Sequence, residues 1–213
     1  MQTPSKPSRL GRPLTPRLSR KAIGREALAM FEEGEDLSLP RLAERLGVRQ
    51  SSFYKHVTGR QEIIELARGS LVDRVKMPET VPEDLDGLIR QTFEGLRKTY
   101  SLVPTLLPLL LTQPVSHPAA LTVYDRLAAS FLDAGVPDHL VIPTLEALDS
   151  AAIGASLDAM TMESAWHIPE DDRQSFPHLS TALQAVATHQ VDRFAFLAEV
   201  LSAGLRAAID GGT

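Results

Sequence analysis

Between Leu46 and Arg60 the chain reads LGVRQSSFYKHVTGR, a segment crowded with hydrogen-bonding side chains: Arg49, Gln50, Ser51, Ser52, Tyr54, Lys55, His56 and Arg60. A guanidinium can grip guanine through two parallel bonds, and a glutamine amide can do the same for adenine. Hydroxyls bond to base edges or to phosphate oxygens. This chemistry is recognition, and the signatures of catalysis are missing from the sequence. There is no Gly-rich phosphate loop, no G-x-S-x-G and no HExxH. The chain has no cysteine, which excludes a disulfide framework, a thiolate metal site and a thiol nucleophile. His117, His139, His167, His178 and His189 lack tight ligand spacing. No metal and no cofactor is therefore expected, and the chain does not read as an enzyme.

Recognition side chains need a scaffold, and the flanking periodicity predicts one. Ile23, Ala27, Met30 and Phe31 recur at helical spacing from Ser19 onward, and Gly34 ends that helix. Ser38 stands where it can cap a second helix carrying Leu39, Leu42, Ala43 and Leu46. Gly47 suits the positive φ of a tight turn. A third helix, about Gln50–His56, turns Phe53 and Val57 inward. A fourth opens near Arg60 and carries Ile63, Ile64, Ala67, Leu71 and Val75. Residues 38–57 therefore read as a helix-turn-helix, with small Ala43 where the two helices cross. Such a scaffold presents one short helix to the major groove of duplex DNA.

Charge is sorted along the chain in the same sense. The total is −5, yet residues 1–77 hold 15 basic and 9 acidic side chains, whereas residues 78–213 hold 7 and 18. A basic amino-terminal part joined to an acidic remainder points to a nucleic-acid partner for the former. Residues 1–17 combine Pro4, Pro7, Pro13 and Pro16 with Lys6, Arg9, Arg12 and Arg17 and read as a disordered basic arm. The expected division is 1–17 arm, 18–76 DNA-binding domain and 77–213 effector and dimerisation domain. No run of about 18 apolar residues occurs, so no membrane partner is expected and the cytoplasm is the expected location.

The Leu46–Arg60 segment resembles the DNA-binding end of the TetR-type transcriptional regulators. Gln50, Tyr54 and His56–Val57 are nearest to the tetracycline-repressor branch. The resemblance implies that Gln50 and Ser51 face base edges, that Tyr54 lies against the backbone within reach of a base, and that His56 and Arg60 contact phosphate. It implies that Ser38 caps a helix whose amino end holds a phosphate. Pro40 stands where that branch has a base-reading arginine, and Arg49 where it has an acidic residue, so the resemblance implies DNA binding but not that branch's operator sequence. The segment from Phe176 to Leu179, with a terminal apolar helix containing Gly204 and Leu205, is similar to the same branch's ligand-binding domain.

Beyond Pro82 the chain is Leu- and Ala-rich, with no strand alternation, and the predicted fold class is all-α. Helices are expected over 83–100, 103–112, 118–134, 138–163 and 188–209. Residues 164–187 read as a loop containing a short helix near 178–187. Ala147, Ala151, Ala155 and Ala159 recur every fourth residue beside Gly154, and small side chains let a second helix approach. Phe194, Leu197, Leu201 and Leu205 form a stripe on a helix that is apolar on most faces, which must be buried on most faces. Both stripes read as a homodimer interface. Thr92, Leu96, His117, Tyr124, Phe131, Met160 and Trp166 mix aromatic and polar character and are candidates for a small-molecule pocket. The resulting expectation is a homodimeric regulator released from double-stranded operator DNA by a small-molecule effector. The alternatives are a constitutive DNA-binding regulator, or a helical enzyme or interaction module.

Overall fold

The computed structural model describes residues 18–75, 81–82, 84–159 and 166–211. The expected arm and Met160 lie outside these residues, as does the expected boundary at 76. Among the described residues all regular structure is helical.

The first helix, α1 (Arg20–Glu32), starts where Ser19 accepts the Ala22 N–H at 3.1 Å. It ends as Gly34 takes φ +77°. Helix α2 (Leu39–Arg45) follows, then a turn through Gly47 at φ +64°. The third element, where a short helix over about 50–56 is expected, is a six-residue 3-10 helix, Gln50–Lys55. Helix α3 (Arg60–Val72) runs back across α1. Gly24 makes that crossing possible, because a Cβ there would sit 2.5 Å from the Leu66 carbonyl oxygen. Ile23, Ala27, Leu28, Phe31, Leu42, Phe53, Val57 and Ile63 fill the small core between these helices.

The larger part is built on α4 (Leu85–Tyr100), which packs against α6 (Pro118–Asp133), α7 (Asp138–Asp158) and α9 (Arg193–Gly211). Leu88, Ile89 and Phe93 form its inward stripe and meet Phe131, Leu148 and Ala152 within one hydrophobic cluster. The expected 103–112 helix contracts to α5 (Leu107–Leu110), because Pro104 and Pro108 remove N–H donors and restrict the residues before them. Helix α8 (Pro177–His189) ends at Gln190, which is left-handed at φ +49°. Asp192 then receives the N–H groups of Phe194 and Ala195, so the last helix opens at Arg193 and not at 188. Helix α7 is long and apolar enough to cross a bilayer by length and composition. It packs instead against α4, α6 and α9.

Candidate nucleic-acid interface and ligand cavity

Burying Phe53 and Val57 turns the other side of the 3-10 helix outward. Arg49, Gln50, Ser51, Tyr54, Lys55 and Arg60 are exposed, and Ser52 and His56 are half-buried. Tyr54 is 64% accessible, which places a large aromatic ring in solvent beside two cations. Ser38 occupies the N-cap position of α2, but its side chain closes no capping hydrogen bond. The expected cap is thus reduced to a backbone position with a free hydroxyl.

The orientation of this segment is set by neighbours on three elements. Arg20 of α1 donates to the His56 carbonyl at 2.8 Å and pairs with Glu62 of α3. Glu62 accepts the Thr58 N–H at 2.6 Å and its hydroxyl at 2.9 Å, closing the entrance of α3. The Thr58 N–H, with Arg20, holds the Glu62 carboxyl below its ordinary range. Arg45 spans Glu26 at 2.5 Å and Glu33 at 2.8 Å, and Arg41 takes Glu35 at 2.6 Å. Four acidic side chains of this part are thereby neutralised internally. Among the described residues no ion pair engages Arg49, Lys55 or Arg60, so the net positive charge faces outward with the polar side chains.

Behind α3 lies a cavity of about 820 Å3, walled by α3, α4 and α6. Thr92, Leu96 and Tyr124 line it as expected. Phe131 does not: it is fully buried in the core. Trp166 is on the outer surface at 63% exposure. His117 caps α6, and its Nδ1 accepts the Ala119 N–H at 3.2 Å. Its ring is directed at Gly69 and not into the cavity. Chain direction explains these corrections, since a residue's mixed character says nothing about which face its helix turns inward.

Among the lining residues not expected from the sequence are Arg68 and Tyr100. Arg68 could have been noticed as a charge on the apolar stripe Ile64, Leu71 and Val75. It is buried, pairs with Glu65 at 2.7 Å and reaches the carbonyls of Leu110 and Gln113 at 3.4 Å. Glu65 in turn accepts the Ser116 N–H at 2.9 Å and the His117 N–H at 3.0 Å, at the amino end of α6. Burial works against this carboxylate, yet the Ser116 N–H and Arg68 hold it below its ordinary range. Tyr100 and Tyr124 both donate to Asp149 of α7, Tyr124 at 2.8 Å, and their oxygens lie 3.2 Å apart. Burial above all, reinforced by the Asp149 charge, pushes both phenols far above their ordinary value, so they stay protonated.

The expected interface stripes are divided by the packing. Ala147 and Gly154 are exposed and Ala151 is half-buried, but Ala155 turns into the chain's own core. Phe194, Leu197, Leu201 and Leu205 are half-buried against that core, and Arg97 and Arg193 cover the Phe194 ring at 4.6 and 4.8 Å. The large apolar side chains that α9 leaves exposed are Phe196 and Val200. Four-residue steps on a helix that packs on one side must leave the intervening positions outside. Among the described residues no three potential metal ligands converge.

No protein-family model matches the chain. The HTH-type transcriptional repressor DrrR1 of Streptomyces coeruleorubidus is 29% identical over 168 residues, which is 76% of this chain and 60% of that protein. The chain thus spans about 60% of this relative's length. Among solved structures, the Streptomyces coelicolor TetR family protein ActR in complex with actinorhodin superposes with a TM-score of 0.75. It is 19% identical, and the match covers 93% of this chain and all of ActR. BioQ with its double-stranded DNA operator superposes with a TM-score of 0.63 at 17% identity, covering 90% and 99%. These likenesses establish a shared fold: an amino-terminal helix-turn-helix followed by a larger helical domain.

Proposed function

We propose that this chain, which has the fold of the TetR-family regulators, is a homodimeric repressor released from operator DNA when a small molecule enters the cavity behind α3. The observation that carries this reading is the double role of α3. Its amino end opens beside the exposed recognition segment, and Leu71, Val72 and Arg68 on its later turns wall the cavity. A ligand that displaces α3 therefore moves the recognition segment without touching it. The solved relatives carry the two partners this mechanism needs, a DNA operator on BioQ and actinorhodin on ActR.

Gln50 and Ser51 read base edges, Tyr54 packs on the sugar-phosphate backbone, and Arg49, Lys55, His56 and Arg60 bind phosphate. Two recognition segments must sit about 34–36 Å apart to enter successive major grooves, which requires a two-fold dimer. The exposed faces of α7 and α9, with Ala147, Gly154, Phe196 and Val200, supply the surface for it. We assign the DNA-binding domain to 18–76 and the effector and dimerisation domain to 77–213, and the protein works in the cytoplasm, where its operator is. Operator binding and effector binding oppose each other by the same factor.

Selection of bound duplexes from a random pool tests the first half. A palindromic consensus, bound with a steep salt dependence, is the expected outcome. Recovery of no consensus sinks the repressor reading. Loss of that complex on adding cavity ligands separates this reading from a constitutive regulator.

A further inference from the structure

The polar wall of the cavity is asymmetric in what it can offer a ligand. Both phenolic protons of Tyr100 and Tyr124 are committed to one oxygen of Asp149. Each hydroxyl oxygen is left with lone pairs only, and a phenol that keeps its proton cannot take on negative charge. These two phenols therefore accept hydrogen bonds from a ligand and donate none. Behind it stands a carboxylate with no cationic partner among the described residues. The nearby guanidinium of Arg68 is engaged by Glu65 and two backbone carbonyls. Lys98 and Arg74, also on the lining, are matched by Glu94 and Glu32. Arg126 is exposed, where water and salt screen its charge. The rest of the lining is dominated by Leu, Val and Ala side chains.

We infer that the cavity takes a bulky, mostly apolar molecule carrying a protonated amine, whose N–H groups donate to the Tyr100 and Tyr124 oxygens under the charge of Asp149. This rests on the cavity being the effector site. A carboxylate at the same place would meet only acceptors and a like charge. A neutral hydroxyl would make the bond without the charge. Hydrogen bonds with an ionised member are about twice as strong as neutral ones.

The test uses four probes that share one apolar body: pyrenemethylamine, pyrenemethanol, methylpyrene and pyrenecarboxylate. Each is titrated into the full chain by fluorescence. The amine is expected to bind about tenfold more tightly than the alcohol, and the carboxylate most weakly, since a charge-assisted bond in a buried site is worth at least a factor of this size. In Asp149→Asn the amine's advantage over the alcohol should disappear. Tyr124→Phe, which keeps the ring and leaves Tyr100 on Asp149, should weaken the amine and leave methylpyrene unchanged. An alcohol or carboxylate that binds as tightly as the amine overturns the inference while leaving an effector cavity in place. An amine preference that survives both substitutions overturns the assignment of this wall. Failure of all four probes to bind overturns the cavity reading and this inference together.

Discussion

The ring of His117 occupies the space that a side chain on residue 69 would need: a Cβ built on Gly69 would lie 2.1 Å from Cε1 and 2.3 Å from Nε2 of that imidazole. This contact joins α3 to the amino end of α6. It lies beside the Glu65 carboxylate, which receives the Ser116 and His117 N–H groups. The helix that leads to the recognition segment is thus clamped to the helix that walls the cavity.

Gly69→Ala should loosen that clamp. Overpacking a closed contact costs roughly 1–3 kcal/mol. The gain in helix propensity from glycine to alanine returns about 1 kcal/mol at most. A lower urea midpoint is expected, together with a higher effector concentration for operator release. A variant with unchanged stability and unchanged release would show that His117 swings aside freely.

The exposed side chains of the recognition segment should matter for DNA and little for folding. Arg60→Ala is expected to reduce the salt slope of operator binding by about one, uniformly across sequences, as loss of one phosphate contact does. Tyr54→Ala should weaken the operator complex about tenfold, within the range of a lost base or backbone contact. Both should keep the wild-type circular dichroism. Titration of labelled operator at several salt concentrations checks both, and unchanged affinity in each would remove this face from the interface.

The proposed dimerisation can be separated from folding at Gly154. A Cβ at this position meets nothing within 4 Å, so the chain alone tolerates a larger residue. Gly154→Leu and Val200→Glu should both shift the sedimenting species toward monomer while helicity is retained. A dimer intact in both variants would place the two-fold surface elsewhere.

Acid should weaken the attachment of α9 to α4. The Arg206 guanidinium and the Ser202 hydroxyl hold the Asp86 carboxyl down, from an ordinary 3.8 to about 2. A depressed carboxylate stabilises the fold fully above its unfolded value and loses that contribution as pH falls through its folded value. Wild type should therefore exceed Asp86→Asn in stability at neutral pH, and the gap should close between about pH 4 and pH 2. Thermal melts of the two proteins across that range measure it. A gap that does not depend on pH would show that the ion pair contributes nothing.

The helix-turn-helix half was legible because its information is local. Phe53 and Val57 had to point inward at their spacing, which left Gln50, Tyr54 and Lys55 outside. The glycines at 34 and 47 announced turns that only positive φ permits, and both have it. The 3-10 form of the third element was not legible. Neither was the idle hydroxyl of Ser38, because both depend on how tightly α2 and α3 close around Phe53.

The cavity half was not legible to the same degree. Thr92, Leu96 and Tyr124 reached the lining, but Phe131 went to the core and Trp166 to the surface. Amino-acid type and helical period determine that a residue belongs to an amphipathic face. They do not determine which of several apolar neighbours that face meets. An all-helical fold class, a basic amino-terminal part and an acidic remainder could be read from the amino acids, since propensity, periodicity and charge act over a few residues. The tertiary structure alone decided that Tyr100, Tyr124 and Asp149 share one wall and that Ala155 points inward. It also decided that Glu65 grips the start of α6. Each of these is a meeting of residues far apart in the chain, and the packing of whole helices against one another sets such distances.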